Sequence, residues 1–149
     1  MATTRHHRTG LIRRGRILRI AGIALTLATG AAWADSSNVV GEWVAEGNIH
    51  IQLYRCSETL CGRIVKIPDP SRKDTNNTNP RLRTRPIVGS PVLSMARPVG
   101  AGWKGDLYHP ESGRTSIARM TPNDRSTLIV ETCIFFDLIC RAETWRRVR

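Results

Sequence analysis

The chain has 149 residues and a formal net charge of +11, from 23 lysines and arginines against 12 acids. For that length, one domain is the natural count. With 40% hydrophobic and 5% aromatic residues, a core of this size gains from covalent crosslinks.

Residues 1–34 read as an export signal. Arg5, Arg8, Arg13, Arg14, Arg16 and Arg19 form a basic stretch without an acid among them. The apolar run "IAGIALTLATGAA" (20–32) follows, then Ala32-Trp33-Ala34, an A-x-A cleavage pattern. At about 1.5 Å per residue the run spans about 20 Å, short of a hydrocarbon core of about 30 Å. A cleaved signal peptide, not a retained span, is therefore expected. Residue 35 is Asp where a lipoprotein needs Cys, and Gly15 and Arg16 follow Arg13-Arg14 where twin-arginine export favours apolar residues. The expected localisation is periplasmic or secreted, in a bacterium, with the domain on residues 35–149. Six of the 23 basic residues leave with the signal and none of the 12 acids, so 17 against 12 gives the domain +5. That balance excludes no anionic surface but gives no case for nucleic acid.

Beyond the leader, apolar and polar residues alternate with a period of two, which predicts strands. "VVGEWVAE" (39–46) and "IHIQLYR" (49–55) are separated by Gly47-Asn48, a hairpin signal. "LCGRIVKI" (60–67) follows a turn flanked by Cys56 and Cys61, which predicts a hairpin disulfide in an exported domain.

The next 23 residues, "PDPSRKDTNNTNPRLRTRPIVGS" (68–90), break the pattern with five basic residues, two acids and four prolines. A connection this long is uncommon in a compact domain, and its polarity predicts a functional or unpacked loop. Arg81, Arg83 and Arg85 alternate in it between Pro80 and Pro86. Two readings stay open: guanidiniums that hold carboxylate or phosphate, or a fastening in which one pairs with Asp69 or Asp74.

Five further strands are predicted at "PVLSM" (91–95), "WKGDLYH" (103–109), "RTSIARM" (114–120), "TLIVETCI" (127–134) and "LICRAETWRRV" (138–148). "PVGAG", "HPESGR" and "TPNDRS" supply turns between them. Cys133 and Cys140 flank the last hairpin and predict a second disulfide. Their C-x6-C spacing, like C-x4-C at Cys56 and Cys61, fits neither zinc nor C-x-x-C redox chemistry. Eight short strands with tight turns give an all-β antiparallel sandwich or closed up-and-down barrel.

Several segments together resemble the uncharacterised bacterial exported family "domain of unknown function 2147". They are Gly41-Glu42-Trp43, "LCGRIVKIPDP" (60–70), "NPRLRTRPIVGSPVL" (79–93), "GWKGDLYHPESGR" (102–114) and "CRAETWRRV" (140–148). The resemblance implies a small lipocalin-like (calycin) barrel of about eight strands with one long basic loop, and no established activity. It further implies that Trp43 opens the barrel in a G-x-W motif that begins at Gly41. Arg147, from Thr144-Trp145-Arg146-Arg147, would then pack on that tryptophan at the closed end. The chain departs from the family at His109, where an acid is common, and at Thr115 and Ser116, where an aromatic is.

For catalysis, His109 with Asp106 and Ser112 or Ser116 can be drawn as a triad, and Asp106 with Glu111 as a carboxylate pair. Neither has a supporting motif spacing, so no catalytic residue, cofactor or metal is expected. A hydrolase is kept only as the lesser alternative. Ligand binding at a barrel mouth fits better. Candidates there are Arg81, Arg83, Arg85, His50, Tyr54, Trp103, Leu107 and Tyr108, although Leu107 and Tyr108 cannot both face inward. The expected ligand is small and amphipathic or acidic. The alternative is an interaction module whose basic loop docks on an anionic envelope component.

Overall fold

The computed structural model describes residues 38–135 and 138–149; the expected signal peptide lies outside them. Eight antiparallel strands close into one barrel in chain order: β1 (Gly41–Ala45), β2 (Ile49–Cys56), β3 (Thr59–Lys66), β4 (Pro91–Val99), β5 (Gly102–His109), β6 (Arg114–Pro122), β7 (Thr127–Ile134) and β8 (Ile139–Arg147). Closure runs through Trp43 opposite Arg147 and Val44 opposite Arg146, so no sheet edge is left unpaired.

Local chemistry places each turn. Gly47 and Asn48 both take positive φ (73° and 56°) between β1 and β2, a conformation these two residue types tolerate best. The β2–β3 turn is tighter than the cysteine spacing suggests. Only Ser57 and Glu58 lie between the paired Cys56 and Thr59, and Cys61 stands opposite Tyr54. The Cys56–Cys61 disulfide thus runs diagonally, whereas Cys133 and Cys140 are directly opposed and bonded. Loops this short yield about 2–2.5 kcal/mol per crosslink by chain entropy.

β4 continues four residues past the predicted end. The ladder shifts register between Ser94 and Arg97, where Met95 has φ 40°. That bulge breaks the period of two, so alternation alone ends the strand early.

The barrel interior is packed at one end. Trp43, Leu53, Leu60, Ala96, Met120, Leu128 and Val130 are fully buried there, and Trp103 is nearly so. Two inward glycines make the fit possible. A Cβ on Gly105 would stand 2.6 Å from the Ala96 Cα, and one on Gly62 2.9 Å from the Leu53 side chain. Arg147 seals this end: its guanidinium carbon lies 4.2 Å from the Trp43 ring centroid, and Nη1 donates to the Val40 carbonyl at 2.8 Å. Gly41 (φ 141°) has no room for a side chain, because a Cβ would meet Arg147 Nη1 at 2.5 Å.

The long connection is packed, contrary to its composition. Ile67 and Ile87 are buried, but the organising group is Asp74, which is fully buried. Its carboxylate accepts from the Tyr108 hydroxyl (2.5 Å), Asn77 Nδ2 (2.7 Å) and Arg85 Nε and Nη2 (3.0 and 2.8 Å). A buried charge is tolerable when it is paired and its lone pairs are met in this way. Arg83 Nε donates to the Asn77 carbonyl, and Asn79 caps a 3-10 turn at Pro80–Leu82 through the Arg81 N–H. Polar groups therefore do the fastening that apolar ones do elsewhere.

Candidate functional site at the barrel mouth

The packed end does not fill the whole interior. Toward the other end, where the β1–β2, β5–β6 and β7–β8 turns lie with the long connection, the barrel opens into a cup of about 540 Å³. Its apolar surface comes from Ile49 and Ile51 on β2, Ile64 on β3, Val92 on β4, Leu107 on β5 and Trp145 on β8. Its polar groups are Glu46, His109, Glu111, Ser112, Thr132, Arg141 and Glu143.

Strand parity brings these groups together. Leu107 and His109 face inward with Ser116, which pairs with Leu107 across β5–β6. On β8 the inward residues are Arg141, Glu143 and Trp145. Glu143 accepts from Trp145 Nε1 at 2.5 Å, and the exposed Arg141 pairs with Glu46 at 2.6 Å across the rim. His109 Nε2 lies 2.7 Å from Ser116 Oγ. Burial pushes the His109 pKa below the ordinary imidazole value, against the opposing pull of Glu143 and Glu111. The imidazole is therefore neutral near pH 7, with one nitrogen able to donate and one to accept.

The sequence-predicted candidates scatter around this cup. Tyr108 borders the cup, but its hydroxyl is held by Asp74 and Asn77 in the long connection. Burial and the adjacent Asp74 carboxylate push the Tyr108 pKa up to about 12. Trp103 sits at the packed end, with its buried Nε1 lacking a hydrogen-bond partner among the described residues. His50 and Tyr54 face outward, because Ile49 and Ile51 take the inward positions of β2. His50 Nδ1 contacts Glu42 at 2.7 Å, and Tyr54 lies under Arg63 at 5.8 Å. Arg85 is held by Asp74, as the fastening reading has it, and neither Arg81 nor Arg83 lines the cup.

The connection nonetheless touches the rim. Asn76 Nδ2 donates to the Glu111 carbonyl at 2.6 Å, and Arg72 lies 3.5 Å from the Glu111 carboxylate. Gly113 (φ 69°) permits the contact, since a Cβ there would overlap the Asn76 carbonyl. Of the triad drawn from sequence, the His109–Ser116 contact forms, but Asp106 has the opposite parity to His109 on β5, and the acid whose charge reaches His109 from β8 is Glu143. Sequence reasoning missed Thr132, Arg141 and Glu143. Their signal was faint, charged or hydroxyl residues at inward positions of strands that otherwise read as solvated there.

Comparison with known proteins adds the following. The family model described as "Uncharacterized protein conserved in bacteria (DUF2147)" matches residues 41–147. Among solved structures, the chain is similar to one described as protein HP1028 from the human pathogen Helicobacter pylori, said to belong to the lipocalin family. The TM-score is 0.68 at 22% identity, over 74% of this chain and 82% of that one. No curated protein matches the chain.

Proposed function

Since the chain belongs to the DUF2147 family and folds as a lipocalin-like barrel, we propose that it is an exported, non-enzymatic binding protein whose mouth takes one small amphipathic molecule. The two disulfides are compatible with an oxidising compartment. No helix among the described residues is long and apolar enough to cross a membrane.

One observation carries the reading. The interior is filled at one end and leaves about 540 Å³ at the other, with apolar walls and convergent polar groups. That volume lies in the range of small-molecule sites, which run from about 300 to 1,000 Å³. An apolar body would rest on Ile51, Ile64, Leu107 and Trp145, with its head at the rim. The head chemistry follows the rim charges. Glu46, Glu111 and Glu143 face Arg141, the one arginine or lysine among the described lining residues. A head that donates hydrogen bonds, a hydroxyl or an amine, meets more partners there than a carboxylate or phosphate does.

Native mass spectrometry of protein from the exported, oxidised fraction tests this, before and after organic extraction. The expected result is an extra mass that extraction removes and that a Thr132→Trp variant, with its cup filled, does not carry. A clean mass in the native protein, together with no uptake of an apolar dye that the variant excludes, would overturn the reading.

A further inference from the structure

Of the three acids that line the cup, only Glu143 is half-buried; Glu46 and Glu111 are exposed. It stands on β8 between the exposed Arg141 at the rim and the buried Trp145. The three also differ in their partners. Glu46 pairs with Arg141 at 2.6 Å, and Glu111 has Arg72 at 3.5 Å. Glu143 has no cation at salt-bridge distance among the described residues, and the hydrogen bond it accepts there comes from Trp145 Nε1, a neutral donor. His109 feels its charge but is itself neutral near pH 7, since burial lowers the imidazole pKa. The wall of the cup thus carries one unmatched carboxylate.

That carboxylate discriminates between ligand heads. A ligand body resting on Ile51, Leu107 and Trp145 strips the remaining water from Glu143. A desolvated carboxylate without a partner is costly, so the head must supply one. A hydroxyl donates a single hydrogen bond. A primary ammonium brings three donors and the opposite charge. A carboxylate or phosphate head would have to draw Arg141 away from Glu46 and then stand beside like charges.

We propose that the cup selects a cationic amphipath, a primary alkyl amine whose ammonium pairs with the Glu143 carboxylate while its chain lies on the apolar wall. This rests on the reading that the cup takes a small amphipathic ligand, and it assigns that ligand a charge.

Competition among probes that differ only in the head tests the charge apart from the cup. Decylamine, decanol and decanoate are titrated against an apolar dye bound to the exported, oxidised protein. Near pH 7 the amine holds its proton and the acid has lost its own. The amine should displace the dye at about tenfold lower concentration than the alcohol, with decanoate weakest, and added salt should narrow the gap. Glu143→Gln keeps an acceptor for Trp145 Nε1 but removes the charge, so the preference for amine over alcohol should fall to about threefold or less. The ranking on the native protein needs no variant, so it decides the matter even if Glu143→Gln fails to fold. Alcohol or decanoate displacing the dye as well as the amine does would overturn the proposal and leave the cup reading standing. A dye that no probe displaces, or a Glu143→Gln protein that keeps the full preference, would do the same. A native protein that takes up neither the dye nor any probe would overturn both.

Discussion

Arg147 lies over the Trp43 ring and at the same time donates through Nε to the Arg125 carbonyl, through Nη1 to the Val40 carbonyl and through Nη2 to that of Asn38. One planar guanidinium thus joins β8, the segment before β1 and the β6–β7 turn. Arg147→Ala removes the stacking and all three bonds and is expected to cost about 2–4 kcal/mol, while leaving ligand uptake at the far end intact. Arg147→Lys keeps the charge but not the fork, and should recover less than half of the loss. Thermal unfolding of the three proteins checks the order.

The Asp74 network makes the second prediction. Asp74→Asn leaves Arg85 without its counter-charge inside the packed connection, and breaking a buried pair in this way costs about 3–5 kcal/mol. The damage should be local first. Limited proteolysis should cut between residues 68 and 90 in the variant, under conditions where the native connection resists.

Stability should fall at both ends of the pH scale. Burial raises the Asp74 pKa, but the bonds from Tyr108, Asn77 and Arg85 outweigh it, so the group sits below the ordinary carboxylate value. His109 is also depressed, by burial. In both cases the unfolded chain takes up a proton before the folded one, so stability is lost as pH falls. The loss starts near the ordinary imidazole value for His109 and near the carboxylate value for Asp74. Tyr108 has the opposite sign: its stabilisation is complete below pH 10 and is lost as pH rises toward about 12. A Tyr108→Phe variant should lack that alkaline step in melting curves, and His109→Gln the earliest acid one.

Two tryptophans should respond differently to the same change. Trp103→Phe removes a buried N–H that has no partner among the described residues, so its cost in packing is offset and stability should stay within about 1 kcal/mol of native. Trp145→Phe takes the donor from Glu143 and should cost about 1–3 kcal/mol. Only the second should alter ligand uptake, since Trp145 alone of the pair lines the cup.

The frame of the barrel was readable because local rules agree with one another. Alternation sets the strands, Gly47-Asn48 sets a turn, and paired cysteines mark two hairpins. The cup was not readable, because its parity inverts the usual sign. On β8 the inward residues near the mouth are Arg141 and Glu143, and a polar residue in an alternating strand normally signals solvent. Register alone decides this, and register depends on closure. The long connection misled for a related reason. Its polarity suggested loose chain, yet the groups that made it polar, Asp74, Asn77, Arg83 and Arg85, are the ones that bond it together.

Because Gly62 and Gly105 let the strands meet side chain to backbone at the packed end, the barrel's shape is determined without the mouth. At the mouth, Ile51, Ile64, Leu107 and Trp145 serve both the core and the cup, whereas the rim residues Glu46, Glu111 and Ser112 take no part in that packing. Substitutions at the rim should therefore leave the barrel standing, held by the same glycines, Trp43 and Arg147.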